Sequence, residues 1–288
     1  MPEAPTAAVP TSVMDGRVAV TTEAGESYFA TLDFGKLELT LEGLLKAGVH
    51  FGHLKSRRHP KMDHFIYTTR KNINIVNLQK TVESLDTAAT FLTEVVKSGK
   101  PILFVGMKKQ THATIKSLAR RLGEPFVVDR WLGGTLTNYS CIRTRSRYLN
   151  DSEQKFAAGE FKKYTKFEQA KKMEEIERLE KKMGGIKHME SLPGAIVIAD
   201  VKEAGLVLYE ARKMNVPIVG IVDTNTDPSL VDYPVPGNDD ALSSLRLLLG
   251  TLGKAIVTAK EKVVQTKAAA AVPKPVLAKE LTETKGAA

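Results

Sequence analysis

PILFVGMKKQTHATIKSLARRLGEPFVV, residues 101–128, carries one complete structural unit. Ile102–Val105 is a short run of apolar, branched side chains, the composition of a strand buried on both faces. After Gly106 the period changes. A helix is expected from about Lys108 to Leu122, and Phe126–Val128 reads as the next strand. Parallel neighbours need such a crossover, so the stretch predicts a βαβ unit. The same alternation recurs on the C-terminal side as Ala195–Ala199, a helix over about Val201–Met214, and Ile218–Val222. On the N-terminal side Ile73–Val76 reads as a buried strand. A helical stripe of Leu85, Ala88, Ala89, Leu92, Val95 and Val96 leads from it back to residue 101. A final helix, about Asp239 to Lys260, is expected to pack Leu242, Leu245, Leu249 and Leu252. The chain is predicted to be α/β, with a doubly wound parallel sheet covered on both faces.

One region interrupts the alternation. From Thr137 to Met183 no strand signal occurs and charge is dense. Residues 137–156 and 165–183 read as two helices joined by a turn near Ala158–Gly159, with a thin apolar seam of Phe161, Phe167, Ala170, Ile176, Leu179 and Met183. Two readings stand: an antiparallel helical hairpin protruding from the core, or two ordinary surface helices. Thr40 is placed to cap a short helix through Ala47 that ends at Gly48. The predicted division is a core of residues 37–136 and 184–260, a helical insertion at 137–183, a disordered N-terminal extension at 1–36, and an Ala/Lys/Pro-rich tail at 261–288. Val18–Val20 and Tyr28–Leu32 are the strand candidates of the extension.

The 288 residues carry 42 Lys+Arg against 33 Asp+Glu, a formal charge of +9 that favours polyanionic partners. The single cysteine, Cys141, excludes an internal disulfide and a multi-Cys zinc site, and fits a reducing, cytoplasmic compartment. No apolar stretch is expected to span a membrane, and the acidic N-terminus lacks the pattern of a secretory or transit signal.

The basic excess concentrates in HFGHLKSRRHPKMDHFIYTTRK, residues 50–71. There Lys55, Arg57, Arg58, Lys61, Arg70 and Lys71 face only one carboxylate, Asp63. Phe51, Phe65 and Tyr67 are interleaved. Cations neutralise phosphates and aromatic rings stack on unpaired bases, so this stretch, read as a loop, is the leading RNA-binding candidate; its bland alternative is a solvated charged loop. His50, His53, His59 and His64 lack both the HExxH frame and a thiolate, so no metal is expected.

Three further motifs sit at strand ends. FVGMKKQT (104–111) places Lys108 and Lys109 at a helix start, where free N–H groups attract anions. It lacks the second glycine and GK[ST] of a nucleotide loop, so an RNA phosphate is the expected occupant. RWLGGTLTN (130–138) joins Arg130 and Trp131 to a paired-glycine turn, with Thr135 or Thr137 as candidate helix caps and Arg143, Arg145 and Arg147 beyond. Core packing is the competing role for Trp131. DTNTDP (223–228) offers Asp223 and Asp227 either as Mg2+ ligands or, the preferred reading, as an Asx turn into Pro228. PGNDD (236–240) reads as a turn with an acidic helix start.

Taken in order, AGVHFGH (47–53), HPKM (59–62), INIVNLQKT (73–81), FVGMKK, RWLGGTLTN, GGIKHMESLP (184–193) and IVDTNTDP…VPGNDDA (221–241) closely resemble the S-two family of bacterial small-subunit ribosomal proteins. The similarity runs from about Leu39 to Lys260. It implies a flavodoxin-like sheet, a coiled-coil hairpin, binding to small-subunit (16S-type) ribosomal RNA, and docking of the messenger-recruiting protein S-one. It implies no catalysis and no cofactor. Carried over by motif, Lys61, Arg70, Lys108, Arg130 and Arg143 contact RNA, with Trp131 and Asn138 shaping the turn. The N-terminal extension, the tail and the more basic KSRRH (55–59) depart from the family pattern. The competing function is a nucleotide- or Mg-binding α/β enzyme or sensor using the 104–111 turn and Asp223. A pure protein scaffold leaves the basic cluster at 50–71 unexplained.

Overall fold

The computed structural model describes residues 39–270, together with Phe29 and Phe34. The strand candidate at Val18–Val20 and, Phe29 aside, that at Tyr28–Leu32 lie outside the described residues, as does the tail beyond Ala270. Five strands form the central sheet: β4 (Ile102–Val105), β5 (Phe126–Val127), β6 (Ala195–Ile198), β7 (Ile218–Val222) and β8 (Tyr233–Pro236). Their spatial order is β5-β4-β6-β7-β8 and every pairing is parallel, with Phe104 opposite Phe126, Ile102 opposite Ala195, Ile196 opposite Ile218, and Val219 opposite Tyr233. Counted in chain order this is 2-1-3-4-5, the flavodoxin-like winding, and the order reverses between β4 and β6.

Residue parity decides which face each strand residue enters. Ile102, Phe104, Ala195, Val197, Val219 and Ile221 face one layer, made by α2 (Leu78–Lys97), α3 (Lys109–Leu122) and α7 (Leu242–Ala270). Leu103, Val105, Ile196, Ile198, Ile218 and Val222 face the other, packed by α6 (Gly205–Lys213) and by Trp131, Leu136 and Met183. Two buried faces explain why these strands read as continuous apolar runs rather than as alternation.

Four sequence expectations are corrected. Ile73–Val76 (β3) does not join the parallel sheet. It is the middle strand of a separate antiparallel sheet, between β1 (Phe51–Leu54) and β2 (Ile66–Arg70). Lys71 and Asn72, at φ 49° and 60°, form the tight turn that pairs Arg70 with Ile73. Positive φ at both central residues matches the right-handed strand twist. The basic stretch at 50–71 is therefore two strands with 3-10 turns between them at Lys55–Arg57 and Pro60–Phe65, not a loop. Second, β8 is an additional strand; its sequence, YPVP, hides it because proline is tolerated only where the ladder needs no donor, as on this sheet edge.

Third, Phe29 and Phe34, within the stretch expected to be disordered, are core residues. The Arg121 guanidinium donates to the Phe29 carbonyl and lies 4.4 Å from the Phe34 ring centroid. Fourth, α7 continues to Ala270, and within Leu242–Gln265 it contains an 18-residue window of mean hydropathy 1.3, by length and composition enough to cross a membrane. Half of it is buried here, because Leu245, Leu248, Leu249, Leu252 and Ile256 fill the core; Leu242, expected to join them, is exposed.

The insertion forms α4 (Tyr139–Ala157) and α5 (Lys166–Met183), joined through Gly159 at φ 74° and a 3-10 turn at Glu160–Lys163. Thr165 starts α5 with a capping box: its hydroxyl accepts from the Glu168 N–H while the Glu168 carboxylate accepts from the Thr165 N–H. Phe161 and Met183 are buried as the seam predicts, but Phe167 is 77% exposed and lies outside it. At the other end Lys187 reaches Glu153 of α4 at 3.2 Å and Glu180 of α5 at 3.3 Å, tying the two helices together.

Candidate nucleic-acid interface

In wound α/β sheets the ligand position is the crevice beyond the strand C-termini where the strand order reverses. Here β4 leads to Gly106, which must be glycine: a Cβ would lie 2.3 Å from Ile115 and 2.6 Å from Thr111. This close approach brings the start of α3 onto the sheet end, where Asp200 follows β6, Asp223 follows β7 and Asp239 follows β8. Lys108 fills the space among them. Its ammonium lies 2.9 Å from Asp239, 3.1 Å from Asp240 and 3.3 Å from Asp200, with the side chain only 16% exposed. Burial by itself lowers the Lys108 pKa, but the surrounding carboxylates outweigh it and hold the ammonium well above the usual lysine range. Asp239 is pushed up to about 7 by burial, reinforced by Asp223 and Asp200 and opposed by Lys108. Lys108 is thus turned inward onto carboxylates, and the anion cradle expected at 104–111 presents Lys109, not Lys108, to solvent.

His53 extends the cluster. Its Nδ1 lies 2.9 Å from Asp223 and its Nε2 3.4 Å from Asp240, and the hydrogen bond to Asp223 raises its pKa. Ligand atoms of His53, Asp223, Asp239 and Asp240 lie within 4.8 Å of one another, so this group has the reach to share a divalent cation. Lys108 already contacts Asp239 and Asp240. The other three histidines of the 50–71 stretch disperse: His50 packs on Phe51, His64 on Phe65, and His59 lies 4.0 Å from Asp227.

The antiparallel sheet docks beside this cluster. Thr224 accepts the His53 N–H through its hydroxyl and the His59 N–H through its carbonyl. A Cβ at Gly52 would come within 2.5 Å of Thr224, so the glycine is what lets β1 approach so closely. Asp227 forms the expected Asx turn by accepting from the Ser229 N–H, and Lys61 donates to both Asp227 and Ser229 at 2.8 and 2.7 Å. Lys61, with Ser229 assisting, holds Asp227 far below the usual carboxylate range. Arg58 is paired with Asp63 at 2.9 Å. Lys55, Arg57, Arg70 and Lys71 are exposed and make no ion pair among the described residues. Tyr67, 75% exposed, and Phe51 lie on the same sheet.

RWLGGTLTN folds around a residue that the sequence reading missed. Glu210, buried on α6, accepts from Trp131 Nε1 at 3.1 Å and from the backbone N–H groups of Gly134, Leu136 and Thr137 at 2.8, 3.0 and 3.3 Å. Burial raises the Glu210 pKa, yet these donors outweigh it and leave it lowered. Trp131 is 4% exposed, so its place is the core and it is withdrawn from the RNA-binding set. Neither Thr135 nor Thr137 caps α4: the Thr135 hydroxyl bonds Leu132, the Thr137 hydroxyl faces Glu210, and Asn138 stands at the cap without a side-chain cap bond. Arg130 is exposed on this turn and Arg143 half-buried on α4, on elements separate from the antiparallel sheet.

Residues 44–259 match the family model for Ribosomal protein S2. The chain is 46% identical over 224 residues to the small ribosomal subunit protein uS2 of Roseiflexus sp. (strain RS-1), covering 78% of this chain and 86% of that protein. It is also 46% identical, over the same length, to the uS2 protein of Roseiflexus castenholzii, covering 85% of that protein. A parallel sheet whose ligand crevice is filled by its own lysine, beside a separate antiparallel sheet that carries exposed cations, thus comes with the sequence of a structural component of the small ribosomal subunit rather than of an enzyme: the chain belongs to the ribosomal protein S2 family.

Proposed function

We propose that the protein binds small-subunit ribosomal RNA through the outward face of its antiparallel sheet, with Arg130 and Arg143 as accessory contacts. The observation that carries this reading is the set of exposed cations without ion pairs among the described residues, Lys55, Arg57, Arg70 and Lys71, which lie with Tyr67 on β2 and on the turns that bound the antiparallel sheet. Positioned cations neutralise phosphates, and their counterion release makes affinity steeply salt-dependent. The working compartment is the cytoplasm, which suits the exposed free thiol of Cys141.

The α4–α5 insertion is the arm for a protein neighbour, S-one by family resemblance. At its turn Phe156, Phe161 and Tyr164 pack in sequence, tilted and then edge-on, with centroids 5.9 and 6.1 Å apart, and Phe156, Tyr164 and Phe167 remain exposed. Exposed apolar clusters of this kind mark protein contacts. Two measurements test the pair of assignments. In sucrose gradients the wild-type chain migrates with the small subunit, and Lys55→Ala/Arg57→Ala loosens at lower salt than wild type; equal salt resistance refutes the sheet. Tyr164→Ala/Phe167→Ala leaves RNA affinity unchanged but lowers the S-one content of purified subunits; an unchanged content refutes the arm.

A further inference from the structure

A second charged surface lies away from the antiparallel sheet. A cleft of about 1210 Å³ runs between α3, the edge strand β5 and the segment that follows α5. One wall is the face of α3 that carries Lys109, Lys116 and Arg120. At 1.5 Å per residue these positions span about 16 Å along the helix. The opposite wall carries Lys181, Lys182 and His188. The closeness of the walls is built in at Gly185, where a Cβ would lie 2.1 Å from the Phe126 carbonyl oxygen of β5.

The carboxylates lining the cleft are mostly committed within the fold. Glu124 is paired with Lys260 and accepts from the Ile102 N–H, Glu180 is paired with Lys187, and Asp129 lies 3.8 Å from the His112 ring; Glu190 is the exception. The cations are not committed in the same way: Lys109, Arg120, Lys181 and Lys182 are exposed and form no ion pair among the described residues. Two walls of uncompensated positive charge facing one trough complement a polyanion that can lie along it.

We infer that this cleft is a second RNA site, gripping one sugar–phosphate strand between the α3 wall and the Lys181–Lys182 wall. The inference rests on the proposed RNA-binding function and adds a surface to it. Phosphate contacts of this kind fix position without reading bases.

The test measures affinity of the full chain for small-subunit 16S-type RNA across a salt series. The variants are Lys109→Gln/Arg120→Gln for one wall and Lys181→Gln/Lys182→Gln for the other, with Lys55→Ala/Arg57→Ala as the comparison. Neutral substitutions at exposed positions keep the fold, which circular dichroism verifies; charge reversals at the same four positions supply a larger signal. Each wall is expected to lower the slope of log affinity against log salt by about 1–2 and to weaken binding about tenfold at 0.1 M salt. Wild-type slopes in both wall variants, with a reduced slope in the sheet variant, overturn the cleft and leave the function standing. A wild-type chain that does not bind the RNA overturns the function itself. Wall variants that bind RNA normally yet fail to enter the small subunit assign the cleft to a protein neighbour and overturn the RNA site.

Discussion

Lys108 and Arg57 look alike in the sequence: each is a cation in a basic cluster beside a strand. The fold treats them oppositely. Lys108 follows β4 at the point where strand order reverses, and its ammonium is enclosed by Asp200 from the end of β6 and by Asp239 and Asp240 from the end of β8. Arg57 sits in a 3-10 turn of the antiparallel sheet, exposed and without an ion pair. One cation neutralises the protein's own carboxylates and the other is left for a partner. Net charge along a segment does not separate these cases; the topology that delivers carboxylates from distant strands does.

The sharpest way to break the comparison is Lys108→Met. Removing one partner from a nearly buried charge cluster leaves several carboxylates uncompensated, a loss of about 3–5 kcal/mol. Urea unfolding should show it as a lower midpoint with an unchanged slope. The effect has a pH signature. Asp239 is a carboxyl whose folded pKa is raised to about 7. A group of that sign stabilises the fold fully only below the unfolded carboxyl range, and the contribution is lost as pH rises through the folded value. Without Lys108 the carboxylates rise further, so the deficit of the variant should be largest above pH 7 and shrink toward pH 5. A deficit independent of pH would mean that Lys108 acts through packing alone. RNA affinity per folded molecule should not change, since Lys108 is already engaged.

Much of this contrast was legible in advance and some was not. The βαβ runs at 101–128 and 195–222 carry their reading in composition, because a strand buried on both faces is simply apolar. The hairpin at 66–76 was hidden, because Lys71-Asn72 is a turn of two left-handed residues without glycine. β8 was hidden by its prolines. The histidine and basic positions of 50–71 were recognisable as chemistry, but their partners Asp223, Asp227 and Thr224 lie more than 160 residues away. No local pattern encodes such a pairing. Glu210 was missed for the same reason: on a helix it reads as an ordinary charged face. Its separation of 76 residues from Gly134 conceals that it collects the donors of the paired-glycine turn. A carboxylate falling among buried neighbours Val207, Leu208 and Ala211 was the available signal.

Glu210 sharpens the comparison from the acidic side, as an inward charge satisfied by donors rather than by a cation. Glu210→Gln keeps the shape but removes the charge from a set of charge-assisted hydrogen bonds and turns an amide N–H2 toward donors. The expected cost is about 2–3 kcal/mol. Because the folded pKa of Glu210 is lowered, its contribution is present above the unfolded carboxyl range and lost as pH falls through the folded value. The gap between wild type and Glu210→Gln should therefore narrow on acidification, as the Lys108→Met deficit does, although the contribution of Asp239 itself runs the other way with pH. Trp131 fluorescence reports the site directly, since its Nε1 donates to this carboxylate.

The smallest effect belongs to Lys61, which stands between the two classes. Its ammonium is more than half exposed, yet it is held by Asp227 and Ser229. An exposed pair of this kind contributes about 0–1 kcal/mol, so Lys61→Ala should barely shift the unfolding midpoint. Family resemblance assigns Lys61 to RNA, whereas its geometry commits the charge to Asp227. If the geometry governs, Lys61→Ala leaves the salt dependence of RNA binding close to wild type, while Lys55→Ala/Arg57→Ala flattens it. If Lys61→Ala lowers the slope by about 1, one full phosphate contact, then Lys61 exchanges Asp227 for a phosphate on binding. The inward and outward cations would then be joined by a third kind, held by the protein until RNA arrives.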